Sequence, residues 1–221
     1  MVSLFRKKTA SWVGVDIGSS SVKLVALSRH GSSTGLDAYA IAALPPSAVV
    51  DGNVQEINAV SEAIERGVKI CGIRQANTIC AVPSSSVIIK KIELSNVFTE
   101  IELEEQVKVE ADQFIPYPLD EVALDFEIVG PTANNPDLNE ILLVACRRDD
   151  VDQREDAINA AGLKCEIVDV DTYAMERVFP ILINENLKAD DMVAIVDVGA
   201  ATLTLNVVRN GQIIYNREQS F

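Results

Sequence analysis

Residues suited to metal binding and redox chemistry are scarce in this sequence. It holds one histidine, His30, and four cysteines, Cys71, Cys80, Cys146 and Cys165, with no CxxC spacing. That excludes a His–Cys metal centre and a dense disulfide framework. The cysteines lie in apolar surroundings and read as buried thiols of a reducing compartment. Basic residues are also outnumbered: 19 Lys and Arg face 33 Asp and Glu, a net charge of −14. General nucleic-acid binding, which needs a basic patch, is disfavoured. No apolar run reaches the roughly 18 residues of a membrane span. The basic start, MVSLFRKKTASW, lacks the apolar stretch and cleavage site of a signal peptide, so Arg6, Lys7 and Lys8 read as a solvated tail. What is present is ordinary for a soluble globular chain: 221 residues, 48% hydrophobic and 24% charged, enough for one large domain or two small ones.

One unit occurs twice. VGVDIGSSSVKLVAL (13–27) interrupts a β-rich run with Asp16, Gly18 and three serines, and AIVDVGAATLTLNVV (194–208) repeats the layout. Asp197 stands where Asp16 does, Gly199 where Gly18 does, and Leu205 where Leu24 does. Each copy then reaches a turn, Arg29-His30-Gly31 in the first and Arg209-Asn210-Gly211 in the second. Asn-Gly between β runs is a strong hairpin signal. Each unit therefore reads as strand, Asp-x-Gly turn, strand, tight turn and next strand.

Strands are predicted at 12–17, 22–28 and 36–43, as an antiparallel meander. A helix follows over 53–71, with Ile57, Val60, Ile64 and Val68 at helical spacing and Gly72 at its end. The short apolar run 77–82 reads as a central strand reached by a parallel crossover. Pro83-Ser84-Ser85-Ser86 punctuates the chain. Residues 84–164 then read as an inserted α+β subdomain. It contains a strand at 87–94, a helix opened by a Thr99–Glu102 capping box, strands at 123–129 and 140–146, and a helix at 149–161 stopped by Gly162. A strand at 165–170 and a helix from 172, with Pro180 expected to kink or end it, return to the first subdomain begun by residues 1–83. Residues 187–191 read as a linker. The second hairpin unit (191–221) is expected to begin a second domain that is incomplete here, because a three-stranded meander alone leaves one face uncovered.

Two Asp-x-Gly hairpins on related half-domains suit a phosphate clamp. Glycine lets backbone N–H groups approach an anion, and serine and threonine hydroxyls add donors. Lys23 adds a compact positive charge. Aspartate repels phosphate but can hold Mg²⁺, which bridges to it. A Rossmann fingerprint and a P-loop are both excluded, since the turn opens into a strand and has neither GxGxxG nor GKS/T.

VDIGSSSVKL (15–24) and VDVGAATLTL (196–205) resemble the first and second phosphate motifs of the actin, Hsp70 and sugar-kinase superfamily, and EIVDVDTYAMERV (166–178) resembles the segment that hinges its halves. VEADQFIPYPLDEVALDFEIV (109–129) is similar to a segment characteristic of the PilM family, actin-like cytoplasmic proteins of type IV pilus assembly; FtsA shares that architecture. The resemblance implies an α/β, actin-like (ribonuclease H-like) ATPase fold with an inserted α+β subdomain and a truncated second half. It implies ATP and Mg²⁺ as cofactors. Gly18, Ser19, Ser20, Ser21 and Lys23 would hold phosphate on one side, and Gly199, Ala200, Ala201 and Thr202 on the other. Asp16 and Asp197 would position the metal. A water-activating carboxylate would come from the hinge, Asp171 first and Asp169 second; capping of the helix at 172 is an equal reading of both. Function would be that of a cytoplasmic scaffold, at most a slow ATPase. It would be peripheral to the inner membrane and dock the cytoplasmic N-terminal tail of a PilN-like protein together with other pilus assembly proteins. A small-molecule kinase or a polymer-forming ATPase of the same superfamily is the alternative.

Overall fold

The computed structural model describes residues 11–30, 33–73, 76–182 and 191–221. The predicted N-terminal tail, the tip of the turn at 29–31 and most of the linker at 187–191 lie outside them. The chain divides into two compact units, one of Met1–Ser85 with Gln153–Phe221 and one of Ser86–Asp152.

In the first unit, β1 (Ser11–Ile17), β2 (Ser21–His30) and β3 (Ser33–Ala43) form the antiparallel meander expected from sequence. A small hairpin, β4 (Val49–Val50) and β5 (Asn53–Val54), precedes helix α1 (Ile57–Cys71). Gly72 ends α1 in the left-handed conformation, φ 67°, which a Cβ would disfavour. β6 (Ala76–Val82) then pairs in parallel with β1, and a single turn of 3₁₀ helix covers Ser84–Ser86.

Alternation in β1 and β2 sends Val13, Val15, Val22, Leu24 and Ala26 into a core that α1 covers with Val60, Ala63 and Ile64. Helix and sheet approach closely at Gly67, where a Cβ would lie 2.5 Å from the Cδ1 of Leu24. On the other face of the sheet Trp12, Val25, Leu27, Tyr39 and Ile41 are exposed. Asp16 and Lys23 share that face by the same alternation.

The second unit holds β7 (Ile88–Ser95), α2 (Glu100–Asp112), β8 (Val122–Pro131) and β9 (Leu138–Arg147), its sheet ordered β7-β9-β8. Leu103, Val107 and Ala111 of α2 pack with Ile141, Leu143 and Ala145 of β9 to give this unit its own core. The capping box is present: Thr99 Oγ1 accepts from the Glu102 N–H at 3.4 Å, and Glu102 Oε2 accepts from the Thr99 N–H at 2.9 Å. Donation from the Thr99 backbone and hydroxyl holds the Glu102 carboxyl below the usual range. Thr99→Ala is expected to cost about 1 kcal/mol of stability, the usual value of such a cap. Urea denaturation followed by circular dichroism measures it, and an unchanged midpoint would show that the cap contributes nothing.

Helix α3 (Arg148–Ala160) begins in the second unit, but Ala157 and Ile158 are buried in the core of the first. The unit boundary at Asp152 therefore falls earlier than the 164 read from the sequence, because this helix buries its apolar residues on the main sheet. β10 (Lys164–Val170) adds to β6 in parallel and completes the sheet order β10-β6-β1-β2-β3. α4 (Asp171–Leu182) carries Pro180 in its last turn and continues two residues beyond it. A second sheet, β11 (Met192–Val198), β12 (Thr202–Arg209) and β13 (Gln212–Ser220), forms the second meander. Asn210 and Gly211 make its turn with φ of 54° and 77°, both positive as the tight hairpin requires.

All four cysteines are free, but only Cys80 is fully buried; Cys71, Cys146 and Cys165 are half-buried, which corrects the reading of four buried thiols. Cys71 ends α1 and Cys165 lies on the edge strand β10, placements that apolar neighbours in sequence do not reveal.

Candidate functional site

The two hairpin units have the same backbone geometry. The Gly18 N–H donates to the Ser21 carbonyl at 3.1 Å, and the Gly199 N–H donates to the Thr202 carbonyl at 2.8 Å. In each unit the third strand returns to the same turn: Leu44 donates its N–H to the Ser20 oxygen and Phe221 to the Ala201 oxygen. Both turns are tight at their glycine. A Cβ on Gly18 would meet the Ser21 oxygen at 3.3 Å and Lys23 Nζ at 3.4 Å, and one on Gly199 would meet the Thr202 oxygen at 3.0 Å. Thus Gly18, Ser19, Ser20 and Ser21 form one four-residue turn, and Gly199, Ala200, Ala201 and Thr202 its counterpart.

Asp16 and Lys23 face each other across the β1–β2 ladder and form an ion pair of 2.7 Å. At the equivalent place in the second hairpin Asp197 faces Thr204 and no lysine. The two units thus differ in charge while sharing shape. Among the described residues no group of three or more His, Cys, Asp and Glu is gathered as a metal cluster, so Asp16 and Asp197 belong to no such group.

Asp171 and Asp169, the two carboxylates expected at a hinge, are both engaged by hydrogen bonds. Asp171 opens α4 and accepts from the Ser84 N–H at 2.9 Å and from the Thr172 hydroxyl at 3.0 Å. Asp169 accepts the Val170 N–H at 2.8 Å and pairs with Arg177 on α4. Sequence reasoning missed Ser84 as a partner of Asp171. Its only sequence signal is the Pro-Ser-Ser-Ser punctuation after β6. The parallel strands β6 and β10 bring the two together, since Val82 lies opposite Val170 at their ends. The Ser84 hydroxyl is buried with no hydrogen-bond partner among the described residues. Ser85 donates to Glu218 of β13 at 3.0 Å, and Glu176 of α4 accepts the Ile213 N–H, so the ends of β6 and α4 are tied to the second sheet.

The residues present fit a bound triphosphate in kind. Serine hydroxyls, a lysine and two glycine-tight turns supply donors, and the partly exposed Asp16 and Lys23 leave the turn open to a ligand. The ends of the parallel strands β1, β6 and β10 are also where open α/β sheets place ligands.

Comparisons with known proteins agree with this fold. The chain is similar to a chain of a solved PilM–PilN type IV pilus biogenesis complex, with a TM-score of 0.76 and 27% identity over 94% of this chain. It spans 61% of the length of that relative. It shares a fold with the cytoplasmic domain of EpsL, an inner membrane component of the type II secretion system of Vibrio cholerae, at a TM-score of 0.59 and 13% identity, covering 96% of this chain and 71% of that one. A Bacteroides thetaiotaomicron protein with an actin-like ATPase fold and unknown function matches at a TM-score of 0.50 and 8% identity, over 100% of this chain and 74% of the other. The actin-like fold that the resemblance implied is thus the one observed. The family described as Type IV pilus assembly protein PilM matches residues 14–221, nearly the whole sequence. The chain belongs to the PilM family of type IV pilus assembly proteins.

Proposed function

We propose that the protein is an ATP-binding cytoplasmic scaffold that docks the N-terminal tail of a PilN-like inner-membrane protein. The observation that carries the reading is the likeness to the chain of the PilM–PilN complex, at 27% identity and across 94% of this sequence. In this reading Gly18, Ser19, Ser20, Ser21 and Lys23 hold phosphate from one side, and Gly199, Ala200, Ala201 and Thr202 from the other. Asp16 and Asp197 hold Mg²⁺, which supplies the positive charge that lets carboxylates and phosphates share a site. Asp171 and Asp169 stand at the hinge. Because the protein already donates hydrogen bonds to both, hydrolysis is at most slow, and nucleotide acts mainly as a ligand.

The Ser86–Asp152 unit is the proposed source of partner specificity. It has its own core and carries none of the phosphate turns, so docking is the role it is best suited to add. It holds 16 acidic and five basic residues, which is −11 of the chain's −14. Such a field attracts a tail that carries Lys or Arg near the membrane. The test is a fluorescence-anisotropy titration of a labelled tail peptide from the cognate PilN-like protein. The comparison protein has residues 86–152 replaced by a short Gly-Ser linker and is shown by circular dichroism to be folded. A tenfold or larger loss of affinity is expected, about 1.4 kcal/mol. Equal binding by the folded deletion would remove this unit from the docking site.

A further inference from the structure

Cys80 of β6 and Cys165 of β10 lie 85 residues apart in sequence, yet their sulfurs are 3.9 Å apart across neighbouring parallel strands. Cys165 is opposite Thr78, which shares the buried face of β6 with Cys80, so its side chain lies on the same side of the sheet as Cys80. The register of β10 shifts just after it, between Cys165 and Ile167, so that Val168 and not Ile167 faces Cys80. The two thiols are not equivalent. Cys80 is 3% exposed, whereas Cys165 keeps part of its surface.

We propose that Cys80 and Cys165 are a peroxide-responsive dithiol that closes to a disulfide at the root of the Ser86–Asp152 unit. The contact between them favours charge on Cys165: hydrogen bonding from Cys80, with a smaller share from Thr78, draws the Cys165 thiol down, while that same bond and then burial push the Cys80 thiol up. Cys165 is the sulfur with exposed surface that peroxide can reach, and it is the attacking one. Its thiolate attacks one oxygen of hydrogen peroxide; the O–O bond breaks, the sulfur is oxidised to sulfenic acid, and the released hydroxide takes a proton to become water. The Cys80 sulfur then loses its proton and attacks the Cys165 sulfur. Hydroxide leaves and takes up that proton as a second water, and the S–S bond forms. The net change is two thiols and one peroxide to one disulfide and two waters.

The bond would close a covalent ring that contains the whole inserted unit. It would also fix together the two strands whose ends carry Ser84 and Asp171. This does not depend on the nucleotide or tail reading.

The experiment treats the native chain with hydrogen peroxide, blocks remaining thiols with N-ethylmaleimide, and maps non-reduced proteolytic peptides by mass spectrometry. The expected product joins the Cys80 peptide to the Cys165 peptide, leaves Cys71 and Cys146 alkylated, and is reversed by dithiothreitol. Closing so long a loop should also move the urea midpoint of the oxidised chain upward. In Cys80→Ala the sulfenic acid should persist on Cys165, where dimedone traps it; in Cys165→Ser the same dose should leave Cys80 a thiol. Alkylation of both cysteines after peroxide treatment of the native chain would overturn the proposal. So would dimedone labelling of Cys165 while Cys80 is present, or a linkage that forms only after unfolding in urea.

Discussion

Asp16→Ala is expected to lower Mg²⁺-dependent nucleotide affinity of the full-length protein at least tenfold, about 1.4 kcal/mol, with the fold intact. Asp16 lies one pair before the end of the β1–β2 ladder, ahead of a turn that is tight at its glycine, and Asp197 holds the equivalent place in the second hairpin. Among the described residues its removal breaks the ion pair with Lys23, in which the Asp16 and Lys23 side chains are 65% and 47% exposed. Exposed pairs of this kind contribute roughly 0 to 1 kcal/mol, so little stability is lost. Lys23, released from Asp16, keeps its charge for phosphate. The loss should therefore appear in the Mg²⁺ dependence and not in the metal-free affinity. Calorimetric titration of ATP with Mg²⁺ and with EDTA separates the two. An unchanged difference between those titrations in the mutant would remove Asp16 from the metal site.

Arg154→Ala should destabilise the chain by about 3 to 5 kcal/mol, the largest stability effect expected of any single change proposed for it. Arg154 is 1% exposed. Its Nε donates to the Ala81 carbonyl at 3.2 Å, and its Nη2 donates to the Gly52 carbonyl. It thus fastens α3 both to the end of β6 and to the β4–β5 turn. In that turn Asp51 and Gly52 have positive φ, and a Cβ on Gly52 would meet Pro83 at 3.0 Å. Truncation removes both hydrogen bonds of a charged group, at about 1 to 3 kcal/mol each, and opens a cavity where the buried side chain stood. Thermal unfolding should shift down by roughly 10 °C, given about 2 to 4 °C per kcal/mol for a chain of this size. Arg154→Lys keeps the charge and should recover only part of the loss, because an ammonium lacks the planar fork that reaches two carbonyls. A melting temperature for Arg154→Ala within about 2 °C of wild type would show that the clasp contributes little.

Nothing in the local sequence marks Arg154 as buried. It sits in RDDVDQREDAINA, a helix so polar that its arginine reads as solvated. Ser84 and Asp171 are likewise unremarkable until β6 and β10 align in parallel and bring the serine's N–H onto the carboxylate. The water-activating and capping readings of Asp171 could not be separated in sequence for the same reason, since its partner lies 87 residues away. By contrast, the repeat of Asp16, Gly18 and Leu24 at Asp197, Gly199 and Leu205 was legible. Each unit is a self-contained turn, and its defining hydrogen bond joins residues only three apart.

The sequence by itself determined the elements whose interactions close within one or two turns of chain. These are the two Asp-x-Gly hairpins, the Thr99–Glu102 cap, the glycine stops at Gly72 and Gly162, and the Asn210-Gly211 turn. Backbone sterics and short-range hydrogen bonds fix these without reference to the rest of the molecule. Only the tertiary structure decided the order β10-β6-β1-β2-β3, the allegiance of α3 to the first core, the Arg154 clasp and the meeting of Cys80 with Cys165. The physical reason is that an apolar or polar pattern says which face of an element seeks a partner. The identity of that partner depends on chain crossings over 70 to 100 residues, as the separations of 73, 85 and 102 in these contacts show.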